Sequence, residues 1–367
     1  MIRSIHVLAS DEAGGTENFF VRLVEALNAA GHPALAVIHR RSPMARALSP
    51  SVEQVRLPFF SKRDAYSRWR LQRLIAAWQP DIVQTYLGTA TRLTRVPPQS
   101  RAVHVARLGI YQVAAMGNRH VDAWIGNTRS ICKFMRVEGI PAERVFHIGN
   151  FVPPARPVAE HETAVWRGRL RLPDGAFAVL ALGRMVPKKG FEDLLRAFAR
   201  VRATRPDGRP VVLLVGGDGP ERTRLVSLSE QIGVVDRVRW CGWIEDPAPL
   251  YALAHALVCP SRHEPLGNVI LEAWQRGLPV LATRTAGARE LVSDGVDGLL
   301  APVADWQGLA GSLDAFLALP QERLDRLGAS GRDTLLREHN EQTVLAAYID
   351  LYERLRGTSA GAGSAAA

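Results

Sequence analysis

Short apolar runs alternate with amphipathic stretches along nearly the whole chain, and the alternation is interrupted once. Ile5-His6-Val7-Leu8-Ala9 reads as a buried strand, residues 18–30 as an amphipathic helix closed by Gly31, and Ala34-Leu35-Ala36-Val37-Ile38 as the next strand. A helix over 68–78 then leads to a strand at 81–85, and shorter runs at 103–106 and 123–126 carry the rhythm to about residue 148. Repeated strand-helix-strand units build mostly parallel, doubly wound sheets. Phe151-Val152-Pro153-Pro154-Ala155-Arg156-Pro157 breaks the periodicity and reads as a linker. Strands predicted at 177–182, 211–215, 237–240, 256–259, 279–282 and 298–300 restart it, with helical stretches such as 190–205 and 220–232 between them.

The economical architecture is therefore α/β with two similar domains in tandem, over 1–160 and 161–340. A helix over 341–357 is expected to pack back toward the first domain, and the Gly, Ser and Ala tail of 358–367 to be disordered. Doubly wound sheets bind ligands at the carboxyl ends of their strands. A cleft between two such domains suits an enzyme with two substrates.

Composition narrows the function classes. With 47% hydrophobic and 22% charged residues over 367 positions, the chain is a folded protein of about two domains. No apolar run approaches the ~20 residues of a spanning helix, and Met1-Ile2-Arg3-Ser4-Ile5-His6 lacks a signal-peptide layout, so the expected compartment is the cytoplasm. Cys132, Cys241 and Cys259 are scattered in apolar surroundings and offer neither a disulfide framework nor a metal site.

The net charge of +10 is uneven, with residues 1–165 carrying 21 Lys and Arg against 12 Asp and Glu. Within 40–73, Arg40, Arg41, Arg46, Arg56, Lys62, Arg63, Arg68, Arg70 and Arg73 face only Glu53 and Asp64. Such a face suits nucleic acid, anionic headgroups or a phosphorylated acceptor, or is simply a solvated basic surface. No nucleic-acid reader motif accompanies it, so no nucleic-acid partner is expected.

Four constellations follow predicted strands. Gly14-Gly15-Thr16-Glu17 lets backbone amides approach a phosphate or sugar at a helix start, or is a tight turn. Gly183-Arg184-Met185-Val186-Pro187-Lys188-Lys189-Gly190 places two cations, Arg184 and Lys189, where they can meet a diphosphate, or is a solvated turn. Trp240-Cys241-Gly242-Trp243 ends a strand where backbone can border a nucleobase, or is aromatic packing. The fourth, Ser261 to Ala273, holds Glu264 between Arg262-His263 and Pro265-Leu266-Gly267, with Glu272 about one turn inside a helix from Asn268. The Asn268 and Val269 amides at that helix start are available to an anion, with a carboxylate on either side able to accept sugar and ribose hydroxyls.

These segments resemble retaining glycosyltransferases of family 4, of the GT-B fold with two Rossmann-like domains. The likeness extends through Asn127-Thr128-Arg129-Ser130, His147-Ile148-Gly149-Asn150-Phe151-Val152 and Gly287-Ala288-Arg289-Glu290-Leu291-Val292 before Asp294-Gly295-Val296-Asp297-Gly298-Leu299. It is nearest to bacterial members that build lipopolysaccharide and other surface glycans. The resemblance implies an acceptor-binding first domain and a donor-binding second domain. Arg184 and Lys189 would bind the diphosphate of a nucleotide sugar, UDP-linked by preference. Glu272 would bind the ribose and Glu264 the transferred sugar, so that Glu264, Arg184 and Lys189 are the catalytic candidates. Gly15, Gly242, Trp243, Gly267, Asn268 and Val269 complete the donor set. It implies no metal and no other cofactor. The acceptor would be a glycan or glycolipid, met by the basic first domain at the inner membrane surface, where the enzyme would be peripheral. Arg63, Arg68 and Arg107 are the candidates for meeting acceptor or membrane.

Many relatives carry a histidine near the end of a first-domain strand, where this chain reads Val105-Ala106-Arg107-Leu108-Gly109-Ile110-Tyr111. A nucleotide-sugar epimerase of similar layout and a non-catalytic nucleotide-sugar binder are the alternatives. A dehydrogenase is disfavoured, because Gly217-Asp218-Gly219-Pro220 lacks the third glycine of a dinucleotide fingerprint and has Arg222 there.

Overall fold

The computed structural model describes residues 1–12, 14–112 and 118–364. It divides into two compact units: Met1–Pro153 together with the chain from His339 onward, and Pro154–Glu338.

The first unit is built on a seven-stranded parallel sheet. Its strands are β1 (Ser4–Leu8), β2 (Ala34–His39), β3 (Gln54–Leu57), β4 (Ile82–Tyr86), β5 (Val103–Leu108), β6 (Ala123–Gly126) and β7 (Val145–His147), in the order β3-β2-β1-β4-β5-β6-β7. Ser4 of β1 pairs with Ala34 on one side and Ile82 on the other, so the sheet reverses its winding at β1. The central strands are buried along their whole length, and the polar side chains they carry are paired inside the unit: Ser4 with His6, His6 and Gln84 with the Tyr86 hydroxyl, and Thr85 with His104.

The second unit carries a six-stranded parallel sheet. Its strands are β8 (Phe177–Leu182), β9 (Val211–Gly216), β10 (Val238–Gly242), β11 (Ala256–Cys259), β12 (Val280–Thr283) and β13 (Leu299–Ala301), in the order β10-β9-β8-β11-β12-β13. Here the winding reverses between β8 and β11, which pair through Ala256 and Val179.

The last helix, Glu341–Ser364, belongs to the first unit. Val344, Leu345, Tyr348, Leu351 and Tyr352 recur at helical spacing and enter the core formed by Phe19, Phe20, Tyr86 and Phe151. The helix runs past Gly357, so the disordered tail expected from 358 is corrected as far as Ser364. That stretch has no proline, and alanine is the best helix former. Residues 365–367 of that tail lie outside the described residues, as does Ala13 of the first loop.

Other boundaries differ for local reasons. The first helix starts at Gly15, three residues before its apolar stripe becomes regular. The helix expected over 190–205 is only Phe191–Phe198. Arg205 turns inward to donate to the carbonyls of Leu317 and Leu319 at 2.8 and 3.0 Å, and Pro206 disfavours helix at the residue before it. A helix Glu160–Arg169 stands directly after the proline-rich segment. No helix among the described residues is long and apolar enough to cross a membrane.

Candidate active site

The loops at the carboxyl ends of β8 and β11 flank the point where the second sheet reverses its winding, and they are locked together. Gly190 has φ +69°, and a Cβ there would sit 1.9 Å from the carbonyl oxygen of Pro260. Only glycine fits so close an approach in that conformation. The amides of Arg262 and His263 donate to the Lys188 carbonyl at 2.8 and 3.1 Å. The Arg262 guanidinium forks onto the first turn of the helix Phe191–Phe198, with Nε and Nη2 each 2.6 Å from an Asp193 oxygen. Bidentate pairs of this kind fix geometry as well as charge.

The clamp brings Lys189 and Glu264 together across 75 residues of sequence, with Lys189 Nζ donating to Glu264 Oε2. The hydroxyl of Ser261 donates to the same oxygen at 3.1 Å. Both charged side chains are largely shielded, with 22% and 11% of their surface exposed. Burial works against the Lys189 ammonium, but the facing Glu264 carboxylate, with a smaller contribution from Cys259, outweighs it and holds the pKa above the ordinary lysine value. The neighbouring Cys259 thiol is pushed up to about 11, first by burial and then by Glu264, so it stays protonated at neutral pH.

The Glu264 backbone is held from its other side. Its carbonyl accepts from the amide of Gly287 at 3.0 Å, and a Cβ on Gly287 would lie 2.4 Å from the Leu266 carbonyl oxygen. Gly267, at φ +100°, starts the helix Asn268–Trp274 without a side-chain cap. Asn268 and Val269 are half-buried in its first turn. One turn on, Glu272 Oε2 accepts from the Tyr251 hydroxyl at 3.0 Å.

The remaining residues lie on the same sheet edge. Arg184 is exposed on the loop after β8. Met185 of that loop donates its amide to the Asp218 carbonyl at 2.8 Å, and Gly217 donates to the Gly242 carbonyl at 2.8 Å, which ties the loops after β8, β9 and β10 in series. Trp243 follows with 65% of its surface exposed. Sequence reasoning missed Tyr251 and Asp193. The first lies 21 residues from its partner and the second 69, with no periodicity to connect them. Among the described residues no group of three or more His, Cys, Asp or Glu side chains is placed to hold a metal ion.

In the first unit Gly15 opens the helix Gly15–Ala29 behind the extended residue Gly14. The ends of β1, β5 and β6 converge at Gly109, where a Cβ would lie 3.3 Å from Thr16 Oγ1 and 3.4 Å from Asn127 Nδ2. Arg63 is exposed and Arg68 half-buried. Arg107 requires correction: it is 1% exposed and cannot meet an acceptor or a membrane. Its Nε donates to Tyr348 and its Nη2 to Asn150 Oδ1, and the guanidinium lies over the Phe19 ring at 4.1 Å.

Residues 13–156 match the family model described as Glycosyltransferase Family 4, and residues 162–334 that described as Glycosyl transferases group 1. The lipopolysaccharide core biosynthesis glycosyltransferase LpsE of Rhizobium meliloti (strain 1021) is 32% identical over 341 residues, covering 92% of this chain and 95% of that protein. LpsD of the same organism is 33% identical over 347 residues, covering 93% and 95%. Among solved structures, Anabaena Alr3699/HepE in complex with UDP and glucose superposes with a TM-score of 0.81 at 18% identity, over 96% of this chain and all (100%) of that one. WaaG, a glycosyltransferase involved in lipopolysaccharide biosynthesis, gives 0.71 at 18% identity over 96% and 99%.

Proposed function

The chain is a glycosyltransferase that belongs to family 4 and has the GT-B fold, and from that premise we propose that it moves a sugar, with retention, from a nucleotide-diphosphate donor to a glycan or glycolipid of the cell surface. The observation that carries the reading is the Lys189–Glu264 pair at the winding reversal of the second sheet. A cation and a carboxylate held there supply the two contacts a nucleotide sugar needs, one for its diphosphate and one for sugar hydroxyls.

In this reading Lys189, kept charged by Glu264, acts with exposed Arg184 on the diphosphate. Positive charge aimed at the leaving group counts most when the sugar C1–oxygen bond breaks and its electron pair goes to phosphate. The acceptor hydroxyl then bonds to C1 on the face the diphosphate left, and its proton passes to the departing phosphate oxygen. Glu264 accepts hydrogen bonds from the transferred sugar, and Glu272, oriented by Tyr251, from the ribose. The Asn268 and Val269 amides face the phosphates, with Gly267 allowing the sharp entry, and Gly242 and Trp243 border the base.

UDP is the favoured nucleotide, in keeping with Anabaena HepE, which was solved with UDP and with UDP-glucose. LpsD and LpsE, which cover nearly the whole chain, support an acceptor in lipopolysaccharide or a related surface polysaccharide. The protein would work at the cytoplasmic face of the inner membrane, drawn there by its basic first unit.

The test is a thermal-shift and calorimetric screen against UDP, GDP, ADP, CMP and their sugar conjugates, since a ligand of the folded state raises apparent stability. A selective response to one nucleoside diphosphate, abolished in Glu272→Ala, supports the donor site. Silence across the panel from folded protein overturns it.

A further inference from the structure

Arg156 stands in the proline-rich segment that opens the second unit, and its guanidinium is shared by two carboxylates from different elements. Pro157 keeps the residue before it out of helical backbone. Arg156 Nη1 donates to the Pro157 carbonyl at 3.0 Å, so the side chain leaves a stiffened stretch of chain. Nη1 and Nη2 reach Glu162 Oε2 and Oε1 at 3.1 and 2.8 Å, a bidentate fork. Glu162 is itself fixed at the start of the helix Glu160–Arg169, where its Oε2 accepts from the Ala159 amide at 2.9 Å. On its other side Arg156 donates through Nε to Asp246 Oδ2 at 2.6 Å, across 90 residues of sequence.

Asp246 carries these contacts toward the proposed nucleotide site. It lies in the loop after β10, three residues beyond Trp243. Its second oxygen, Oδ1, accepts from the Ala248 amide at 2.9 Å and so closes a turn onto the first residue of the helix Ala248–Leu253. That helix packs against Glu160–Arg169 and carries Tyr251, 3% exposed, whose hydroxyl donates to Glu272. Arg276, one turn after Glu272, lies over the Tyr251 ring at 5.9 Å. Burial holds Arg276 below the ordinary arginine value, and Asp246 is foremost among the groups that oppose this. Arg156, Asp246, Tyr251 and Glu272 thus form one series within the second unit.

Exposed ion pairs contribute little to folding stability, and Arg156 and Asp246 keep 43% and 51% of their side-chain surface in solvent. A guanidinium launched from a proline-stiffened segment and forked onto a fixed carboxylate sets geometry instead.

We propose that Arg156 and Asp246 are positioning residues for nucleotide binding. Through the turn onto Ala248–Leu253 they hold Tyr251, and through Tyr251 they hold the Glu272 carboxylate where it takes the ribose. This rests on the preceding reading of Glu272 as the ribose contact. The influence is routed: Arg156 matters to the nucleotide only while Tyr251 can pass its position on to Glu272.

Titration calorimetry on the full chain uses UDP, GDP and ADP with the parent, Arg156→Gln, Asp246→Asn, Tyr251→Phe, and each of the first two variants combined with the third. Arg156→Gln and Asp246→Asn should each weaken the nucleoside diphosphate that responds by about threefold, the scale of one neutral hydrogen bond. Their melting temperatures should match the parent. In the Tyr251→Phe background neither should weaken binding further, because residues that act through one another are not additive. Parent-like binding by both single variants overturns the proposal. So does a loss that adds in full to that of Tyr251→Phe, or one that comes with a lowered melting temperature. A folded parent silent to all three nucleotides refutes the functional reading itself, whereas nucleotide binding that only the two positioning variants leave untouched refutes the positioning alone.

Discussion

The guanidinium of Arg107 donates through Nε to the hydroxyl of Tyr348 at 2.8 Å, joining β5 to the C-terminal helix across 241 residues of sequence. Both side chains are buried, and the Tyr348 hydroxyl is raised above its ordinary pKa by burial, with Arg107 opposing. Tyr348→Phe leaves a charged buried donor without this acceptor, which should cost about 1–3 kcal/mol of stability. The proposed donor contacts of Lys189, Glu264 and Glu272 are in the other unit, so nucleotide affinity should change far less. Urea denaturation and calorimetry on one preparation check both halves, and an unaltered urea midpoint would show the bond to be unimportant.

Lys189→Ala should lower turnover about 10²–10³-fold while weakening nucleotide binding far less, because the cation acts mainly on charge that develops as the diphosphate departs. Steady-state kinetics with the identified donor decide this. Normal turnover would remove Lys189 from the chemistry.

Glu272→Ala and Tyr251→Phe should fall in order. Removing the carboxylate abolishes the proposed ribose contacts, and donor affinity should drop about tenfold or more, as for hydrogen bonds to a charged group. Tyr251→Phe removes only the 3.0 Å bond that orients Glu272, and its loss should be a few-fold. Titration calorimetry measures both, and a larger effect from Tyr251→Phe would contradict the assigned roles.

Gly190→Ala tests the clamp between the two loops. The added methyl would overlap the Pro260 carbonyl at a backbone angle that disfavours a side chain. The loops must part, with an expected destabilisation of at least about 1–3 kcal/mol and loss of donor response. Gly233→Ala, also at positive φ but with open space around it, is the control for strain alone.

Stability should fall as pH drops below neutrality. His6 is held down to about 3 by burial, and His104 to about 3 by burial with His120 and Arg95 adding to it. Their ordinary value is 6.5, so between that pH and about 3 the unfolded chain takes up protons that the folded chain refuses. Each histidine then costs up to about 1.4 kcal/mol per pH unit, or about 4 kcal/mol for the two between pH 7 and 5. Above pH 7 the effect vanishes. Urea midpoints at pH 7.5 and 5 that coincide would exclude it.

The rhythm of buried strands was legible because both faces of a doubly wound sheet are covered, so β8, β9 and β11 are unbroken apolar runs. The short strand β3, Gln54–Leu57, lies at a sheet edge and inside the basic stretch, and it carries too little periodicity to be seen. At the site, glycines and charged residues following strand ends announced the loops after β8 and β11. The pairing of Lys189 with Glu264 depends on two loops meeting, which spacing along one chain does not encode. Arg107 was misread for a related reason: composition reports a charge but not that Tyr348, Asn150 and Phe19 enclose it.

The second unit is an insertion within the first, since the helix that begins at Glu341 returns to the core begun before Pro153. A ribosome that has released the first 153 residues has therefore made a sheet that still lacks Tyr348 and Tyr352. The second unit, continuous from Pro154 to Glu338, emerges whole before the first can close. The order of maturation thus reverses the order of synthesis. A chain truncated after Glu338 should expose the N-terminal core to protease while the second unit, Pro154–Glu338, is already protected.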